Sequence, residues 1–252
     1  MRDILVTEEQ YFVDFIDTHK NLISGTNSNI KSGKILDQNL PRARHLSFVS
    51  SLGMLISSYS KGDSLNAIKT EYASTLNYMA NGWDDIIVKF KKGRPQVIYD
   101  KYMLNEYCYM IWMLSLAVLL RVSDKEVNTL KTLIENGKIS DELIILLMSF
   151  LTNSQSSKEI SKTTYKPFSG IIKGEKMIDT EKQMKNYLDK WYQNTKLLMW
   201  HNYNPEIGKY YYYGRWSFEA AAVTCIMNLD DSNYRDNQYY PKDLVDYYRS
   251  KK

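Results

Sequence analysis

The sequence predicts an all-α protein, a helical bundle of about eight to ten helices that leaves room for two helical subdomains. Apolar residues recur at the three- and four-residue spacing of a helix face through most of the chain. Glycine and proline number only 11 and 5 among 252 residues, below their average shares of about 7% and 5%, which disfavours turn-dense β architectures. A chain of this length also buries a sizeable core.

The first half of the chain carries four helical patterns. The predicted helices are one over Phe12–Ile23 with a capping box at Thr7-x-x-Gln10, one over Leu46–Tyr59 ended by Gly62, one over Leu65–Met79 capped by Asp63 or Ser64, and one from about Asp100 to Arg121. The fourth is apolar on nearly all sides, so we expect it to be the most buried element.

The remaining elements follow in order. Ser123-x-x-Glu126 and Ser140-Asp141-Glu142 each begin a further helix, the segment 153–176 reads as a loop or linker, and the last third predicts helices over Met184–Met199, over Trp216–Leu229 and from about Tyr240-Pro241 onward. Strand candidates are limited to Ile86–Phe90 and Gln96–Tyr99, which form either a weak hairpin or a loop.

Composition favours a cytoplasmic protein. Two cysteines, Cys108 and Cys225, cannot form a disulfide framework. The N-terminal residues lack the apolar core of a signal peptide, and the longest apolar run, Tyr107 to Leu120, is short for a membrane span. The net charge of +4 comes from residues 151–200, with nine basic and five acidic side chains. A single lysine-rich stretch argues modestly against nucleic acid as the ligand.

Catalytic and metal-binding patterns are missing from the sequence. The chain has no phosphate-binding glycine loop and no H-E-x-x-H or C-x-x-C motif. His19, His45 and His201 lack metal-ligand spacing. Cys225 lies in an apolar run, where a small buried side chain is the ordinary outcome. We therefore expect no catalytic residue, no cofactor and no metal.

The last third of the chain is rich in aromatic residues. Thirteen of the 21 tyrosines lie between Tyr165 and Tyr248. Glu219 shares a helix face with apolar Trp216, Val223 and Ile226, and an ionised carboxylate there needs partners. Either it is satisfied inside the fold, with Arg215 as the nearest cation, or it is an acidic group at the mouth of a cleft.

Further carboxylates follow the helix that contains Glu219. Asp230, Asp231, Asp236 and Asp243 serve either as helix caps and Asx-turns or as a concentration of negative charge beside aromatic side chains. The second arrangement suits a basic cleft on a protein and suits a phosphate backbone poorly.

At these residues the sequence resembles a known family. The segments that carry the resemblance are Trp191-Tyr192, Tyr213 to Val223, Leu229-Asp230-Asp231-Ser232 and Tyr239 to Leu244. They are similar to the C-terminal domain of the PoNi family, immunity proteins paired with PoNe-type DNase toxins. Residues 1–150 resemble the N-terminal domain more loosely. One departure is Arg215, where the family pattern has an aromatic residue.

The resemblance implies an N-terminal helical domain over residues 1–152 and a C-terminal one over residues 165–252. It also implies that the chain is not an enzyme and that it binds a cognate secreted DNase toxin, occluding the toxin's basic groove, without a membrane or nucleic-acid partner. Its oligomeric state is left open. The candidate partner-binding residues are Trp216, Glu219, Asp230, Asp231, Asp236, Tyr240 and Asp243.

Two other functions remain open from the sequence. Lysines and tyrosines of residues 151–213 form a helical nucleic-acid-binding module if the rings stack on bases. Glu219 with Asp230 or Asp231 forms a hydrolase site if the carboxylates act as a pair, although no oxyanion or metal framework accompanies them.

Overall fold

The structure of the protein is a computed structural model that describes residues 1–154, 165–172, 177–206 and 211–251. Within these ranges the chain is mostly helical, which confirms the predicted fold class. No helix among the described residues combines the length and the apolar character that crossing a membrane requires.

Eleven α-helices and one β-hairpin are present in the described ranges. The helices are α1 Glu9–Lys31, α2 Leu40–Lys61, α3 Leu65–Gly82, α4 Asp85–Val88, α5 Leu104–Leu120, α6 Asp124–Gly137, α7 Glu142–Leu151, α8 Lys166–Ile172, α9 Met177–Asn194, α10 Phe218–Met227 and α11 Lys242–Ser250, and the strands are β1 Lys89–Lys92 and β2 Val97–Tyr102. The count exceeds the predicted eight to ten because α4 and α8 are short helices that the sequence analysis did not predict.

Three of the predicted helix starts are confirmed and one is wrong. The Asp141 side chain accepts from the Leu143 N–H at 3.0 Å at the start of α7. The Ser64 side chain accepts a hydrogen bond from the Ala67 N–H at the start of α3, and the Glu126 carboxylate accepts from the Ser123 N–H at 2.7 Å. The capping box at Thr7 does not form, because α1 begins one residue later, after Glu8, and Glu8 makes no side-chain cap.

The hairpin forms, in a shifted position. Residues 85–88, which overlap the first strand candidate, form α4, because the Asp84 side chain accepts from the Ile86 N–H and caps a single helical turn. The strands are therefore β1 and β2, hydrogen-bonded to each other, and residues 100–102 belong to β2 and not to the following helix.

The chain divides into two compact units, each built from two stretches of sequence. Unit 1 comprises Met1–Lys89 and Asn202–Arg215, and contains α1 to α4. In it α2 packs against both α1 and α3. The core includes the fully buried rings of Phe12, Phe48 and Tyr72.

The stretch 202–215 is held into unit 1 by tyrosines. Tyr212 is buried with Val6 and Phe12, and its hydroxyl donates to Oδ2 of Asp3 at 2.7 Å. The Tyr11 hydroxyl donates to the Tyr212 carbonyl. The N-terminal residues and α1 therefore fix this second stretch within the unit.

Unit 2 comprises Phe90–His201 and Trp216–Lys252. Its central element is α5, whose residues from Glu106 to Leu120 are all buried, which confirms the prediction from its all-round apolar sequence. Packed against α5 are α7, α10 and α11. The candidate site lies at the end of this unit where α10 is joined to α11.

Candidate functional site

All seven candidate residues lie in unit 2, on α10, on α11, or beside them. We call residues 228–241, which connect α10 to α11, the acidic loop. The structure divides the candidates into two groups: Trp216, Glu219, Asp231 and Tyr240 are buried, whereas Asp230 and Asp236 are exposed and Asp243 is half-buried. The buried carboxylates therefore make contacts inside the fold, whereas the exposed carboxylates are accessible to solvent.

Glu219 lies in the first turn of α10 and is completely buried. Its Oε1 accepts three hydrogen bonds: from the Tyr187 hydroxyl at 2.7 Å, from the Trp191 indole N–H at 2.6 Å and from the Ser217 hydroxyl at 2.8 Å. These neutral donors, and not the Arg215 guanidinium that the sequence suggested, satisfy one oxygen of the carboxyl group inside the fold.

Burial dominates the electrostatics of Glu219. Removal from water raises the pKa of this carboxyl above its ordinary value, while the hydrogen bond from Tyr187 is the largest opposing effect. Among the described residues, the second carboxyl oxygen, Oε2, has no hydrogen-bond partner. Burial, and after it the charge of Glu219, raise the pKa of Tyr187, which therefore stays a donor. The network is a fixed internal link between α9 and α10.

A row of aromatic rings extends this link to the acidic loop. The Trp191 ring stacks on Trp200 with centroids 5.4 Å apart and contacts Tyr239 with centroids 5.0 Å apart. Tyr239 belongs to the acidic loop, and its carbonyl accepts from the Ser217 N–H at 2.8 Å. Because Trp191 and Ser217 also bind Glu219, one buried cluster holds the C-terminal part of the loop in place.

Asp231 holds the other part of the acidic loop. Its Oδ1 accepts from Arg249 of α11 at 2.8 Å, and its Oδ2 accepts from Arg235 at 3.0 Å and from the Tyr240 hydroxyl at 3.2 Å. Arg249 also donates to the Leu229 carbonyl. This buried aspartate thus ties the loop to α11.

Asp230, next to Asp231 in sequence, faces solvent. Its side chain accepts from both the N–H and the hydroxyl of Ser232 at 3.0 Å, an Asx-turn that lowers the pKa of the carboxyl. The Asp230 N–H donates to Oε1 of Glu181 at 3.0 Å. The Glu181 carboxylate of α9 therefore binds the backbone of the acidic loop at Asp230.

The two remaining candidates, Asp236 and Asp243, have partners within the helix that follows the loop. Asp236 accepts from the Lys242 ammonium at 2.7 Å, which lowers the pKa of this carboxyl, and its side chain is 89% exposed. Asp243 accepts from the Leu244 N–H at 3.0 Å in the first turn of α11. Both side chains are therefore held by contacts with residues close to them in sequence.

Sequence reasoning missed the residues that complete this surface. Glu181 was not singled out, although it lies in the first half of a helix with a mixed-charge face. Asp246 was also missed; it forms an ion pair with Arg235 and is 56% exposed. Tyr187 and Trp191 were identified only as apolar-face residues of α9, and their four-residue spacing was the signal that their polar tips point the same way.

The described part of residues 151–213 bears on the nucleic-acid alternative. Tyr165, Tyr187 and Tyr212 are buried, and Tyr192 stacks on His201 with ring centroids 4.0 Å apart. These rings already have ring or core contacts and offer no free face to a base. Tyr210 and most of residues 153–176 lie outside the described residues.

The structure also shows the environment of the two cysteines and the arrangement of possible metal ligands. Cys108 and Cys225 are both buried and neither forms a disulfide, as expected for apolar positions. Among the side chains of the described ranges, no group of three or more histidines, cysteines, aspartates and glutamates is arranged to hold a metal ion.

Comparisons with known proteins show which family the chain matches. A family model described as "PoNe immunity protein (PoNi), N-terminal" matches residues 2–132, and one described as "PoNe immunity proteins (PoNi), C-terminal" matches residues 139–244. No curated protein matches the chain. The crystal structure of protein PA2201 from Pseudomonas aeruginosa is similar, with a TM-score of 0.64 and 17% identity over 95% of this chain and 89% of that one.

At 17% identity the likeness to PA2201 concerns the fold alone. The family models are decisive, because the N-terminal one by itself matches more than half of the chain and the two together cover most of it. The resemblance stated from the sequence is confirmed, and so is the prediction that the chain is not an enzyme. The chain belongs to the PoNi family of PoNe immunity proteins.

Proposed function

We propose that this chain works in the cytoplasm by binding a cognate PoNe-type DNase toxin and covering the basic groove in which the toxin holds DNA. The observation that supports this most directly is that the carboxylates of Asp230 and Asp236 in the acidic loop are exposed to solvent. Asp230 is fully exposed, and its lowered pKa keeps it ionised at neutral pH.

The chemistry of a nuclease explains why carboxylates suit this task. A DNase must bind a polyanion, so its groove is lined by lysine and arginine. Carboxylates fixed on a rigid surface can take the positions of phosphates, and opposite charges also speed association. Inhibition of this kind needs binding only, without turnover and without a cofactor.

The buried candidates have a different role in this proposal. Glu219 and Trp216 lie in the interior, and Asp231 is occupied by Arg235 and Arg249. These residues position the acidic loop, while Asp230, Asp236 and Asp243 meet the toxin. Tyr240 belongs with the buried group, because its hydroxyl binds Asp231.

Bacterial growth tests the function. We expect co-expression of this chain to restore growth of cells that produce the DNase toxin encoded beside its gene. The matched variants are Asp230→Lys, which reverses an exposed charge of the acidic loop, and Glu135→Lys, which reverses an exposed charge on α6. Rescue by the second but not the first supports the proposal. No rescue by the unaltered chain contradicts it.

A further inference from the structure

A groove of about 900 Å³ lies within unit 1, and none of the candidate partner-binding residues lines it. It runs between the C-terminal half of α1 and the helices α2 and α3. Its walls are mostly hydroxyl, amide and charged side chains, among them Ser24, Asn27 and Ser28 of α1 and Glu71, Ser74 and Tyr78 of α3.

The sequence of α1 explains why the groove is open. Its N-terminal half buries Phe12, Phe15 and Ile16, whereas its C-terminal half buries only Ile23. The remaining positions on the same face are polar and do not close a core. The groove follows α1 from Lys20 to Ser32, the residue after its end. At 1.5 Å per residue this stretch is about 18 Å long. An extended chain of about five residues has the same length.

Glu71 is the one carboxylate on the groove wall. Its Oε1 accepts from the Ser58 hydroxyl at 3.1 Å, and its Oε2 is buried with no hydrogen-bond partner in the part of the chain that the structure describes. A buried acceptor that lacks a donor carries a desolvation cost. The terminal torsion of a glutamate has a broad minimum, so a small rotation can turn Oε2 toward the open groove.

We propose that this groove takes an arginine or lysine side chain from an extended segment of the toxin, with the cation bound by Glu71. The inference rests on the proposed function, which supplies a partner with a basic surface. An incoming ammonium or guanidinium gives Oε2 the donor that it lacks. Burial raises the pKa of Glu71, and the charges of Lys20 and Lys61 oppose this effect without cancelling it, so a further cation bound at the carboxyl would lower the pKa again.

The groove suits one cation within a polypeptide better than a free polycation. Lys20 and Lys31 lie along it, and they repel a ligand that carries several positive charges. The hydroxyl and amide side chains can both donate to and accept from a peptide backbone. Ile23, Met54 and Leu55 add apolar contact for the stem of the inserted side chain.

The first test is the dissociation constant for the purified toxin, inactivated at its catalytic centre. Glu71→Gln keeps an acceptor for Ser58 and removes the charge, so we expect binding about tenfold weaker or more, with a melting temperature near that of the unaltered chain. Glu135→Gln, on the exposed face of α6, is the matched control and should bind within about twofold, as expected for a residue outside the contact.

A second pair of variants tests the groove without touching Glu71. Ser28→Trp fills the groove from an exposed position of α1, whereas Asn29→Trp places the same ring on an adjacent exposed position that does not line it. We expect only Ser28→Trp to weaken toxin binding, by tenfold or more. If Glu71→Gln and Ser28→Trp bind the toxin as tightly as their controls, the inference is wrong and the proposed function stands. If the unaltered chain does not bind the toxin, both are wrong.

Discussion

The indole N–H of Trp191 donates to Oε1 of Glu219 at 2.6 Å, and this bond joins α9 to α10 inside unit 2. The same indole ring contacts Tyr239 of the acidic loop. A buried carboxyl group thereby determines where an exposed acidic surface lies. The candidates identified from the sequence are of two kinds. Some are buried and hold the acidic loop in place, and the others carry carboxylates that reach solvent.

Replacing Glu219 should destabilise the fold strongly. Glu219→Ala leaves the donors of Tyr187, Trp191 and Ser217 without their common acceptor, and we expect a loss of about 3 kcal/mol or more in the free energy of unfolding. Glu219→Gln keeps an acceptor oxygen and should lose less. Urea denaturation measures both, and equal stability of Glu219→Ala and the unaltered chain would show that the network contributes nothing.

The stability of the protein should also depend on pH through Glu219. The pKa of Glu219 is raised in the folded state, whereas a glutamate in the unfolded chain has a pKa of about 4.3. Between the two pKa values the folded state holds a proton that the unfolded state has released, so stability falls as pH rises through this window. Glu219→Gln lacks this contribution. Unfolding curves from pH 4 upward should show the unaltered chain losing stability relative to Glu219→Gln, and a constant difference would contradict the assignment.

Substitution of two adjacent aspartates should affect stability to different extents. Asp231→Ala removes the shared partner of Arg235 and Arg249, and we expect a loss of about 2 kcal/mol, allowing for the partial exposure of both arginines. Asp230→Ala removes an exposed Asx-turn, and the melting temperature of this variant should be near that of the unaltered chain. Thermal melts of the two variants test this difference, and a larger effect at Asp230 would reverse our division of the site.

A pair of glycine substitutions tests the packing of unit 1. A Cβ at Gly82 would lie 2.6 Å from the Arg44 carbonyl oxygen, where α3 ends against α2, so Gly82→Ala should cost about 1–3 kcal/mol. A Cβ at Gly25, within α1, meets nothing within 4 Å, so Gly25→Ala should add about 0.5–1 kcal/mol. Denaturation midpoints that move in the same direction for both variants would contradict this packing.

The fold was largely predictable because its signals are local. The all-round apolar pattern of Tyr107–Leu120 predicts a central helix, and the structure has one. The hairpin was misplaced because Asp84 caps a helical turn, a competition that the pattern of apolar residues does not reveal. The domain limits 1–152 and 165–252 stay a prediction, since most of the residues between them lie outside the described ranges.

The candidate site was predictable only in part. That Glu219 needs partners follows from its apolar neighbours along one helix, but the donors Tyr187 and Trp191 come from a helix about 30 residues earlier and depend on tertiary packing. The sequence likewise does not separate Asp230 from Asp231, because a loop turn decides which of two neighbouring carboxylates faces the arginines. The contact between Glu181 and the acidic loop likewise depends on tertiary packing.

The most direct test of the proposed function is a titration of the toxin's DNase activity. We expect the unaltered chain to abolish DNA cleavage near one equivalent, and the double variant Asp230→Lys/Asp236→Lys, with an unchanged melting temperature, to require a large excess. Stoichiometric inhibition by a folded double variant would show that the acidic loop is not the surface that neutralises the toxin.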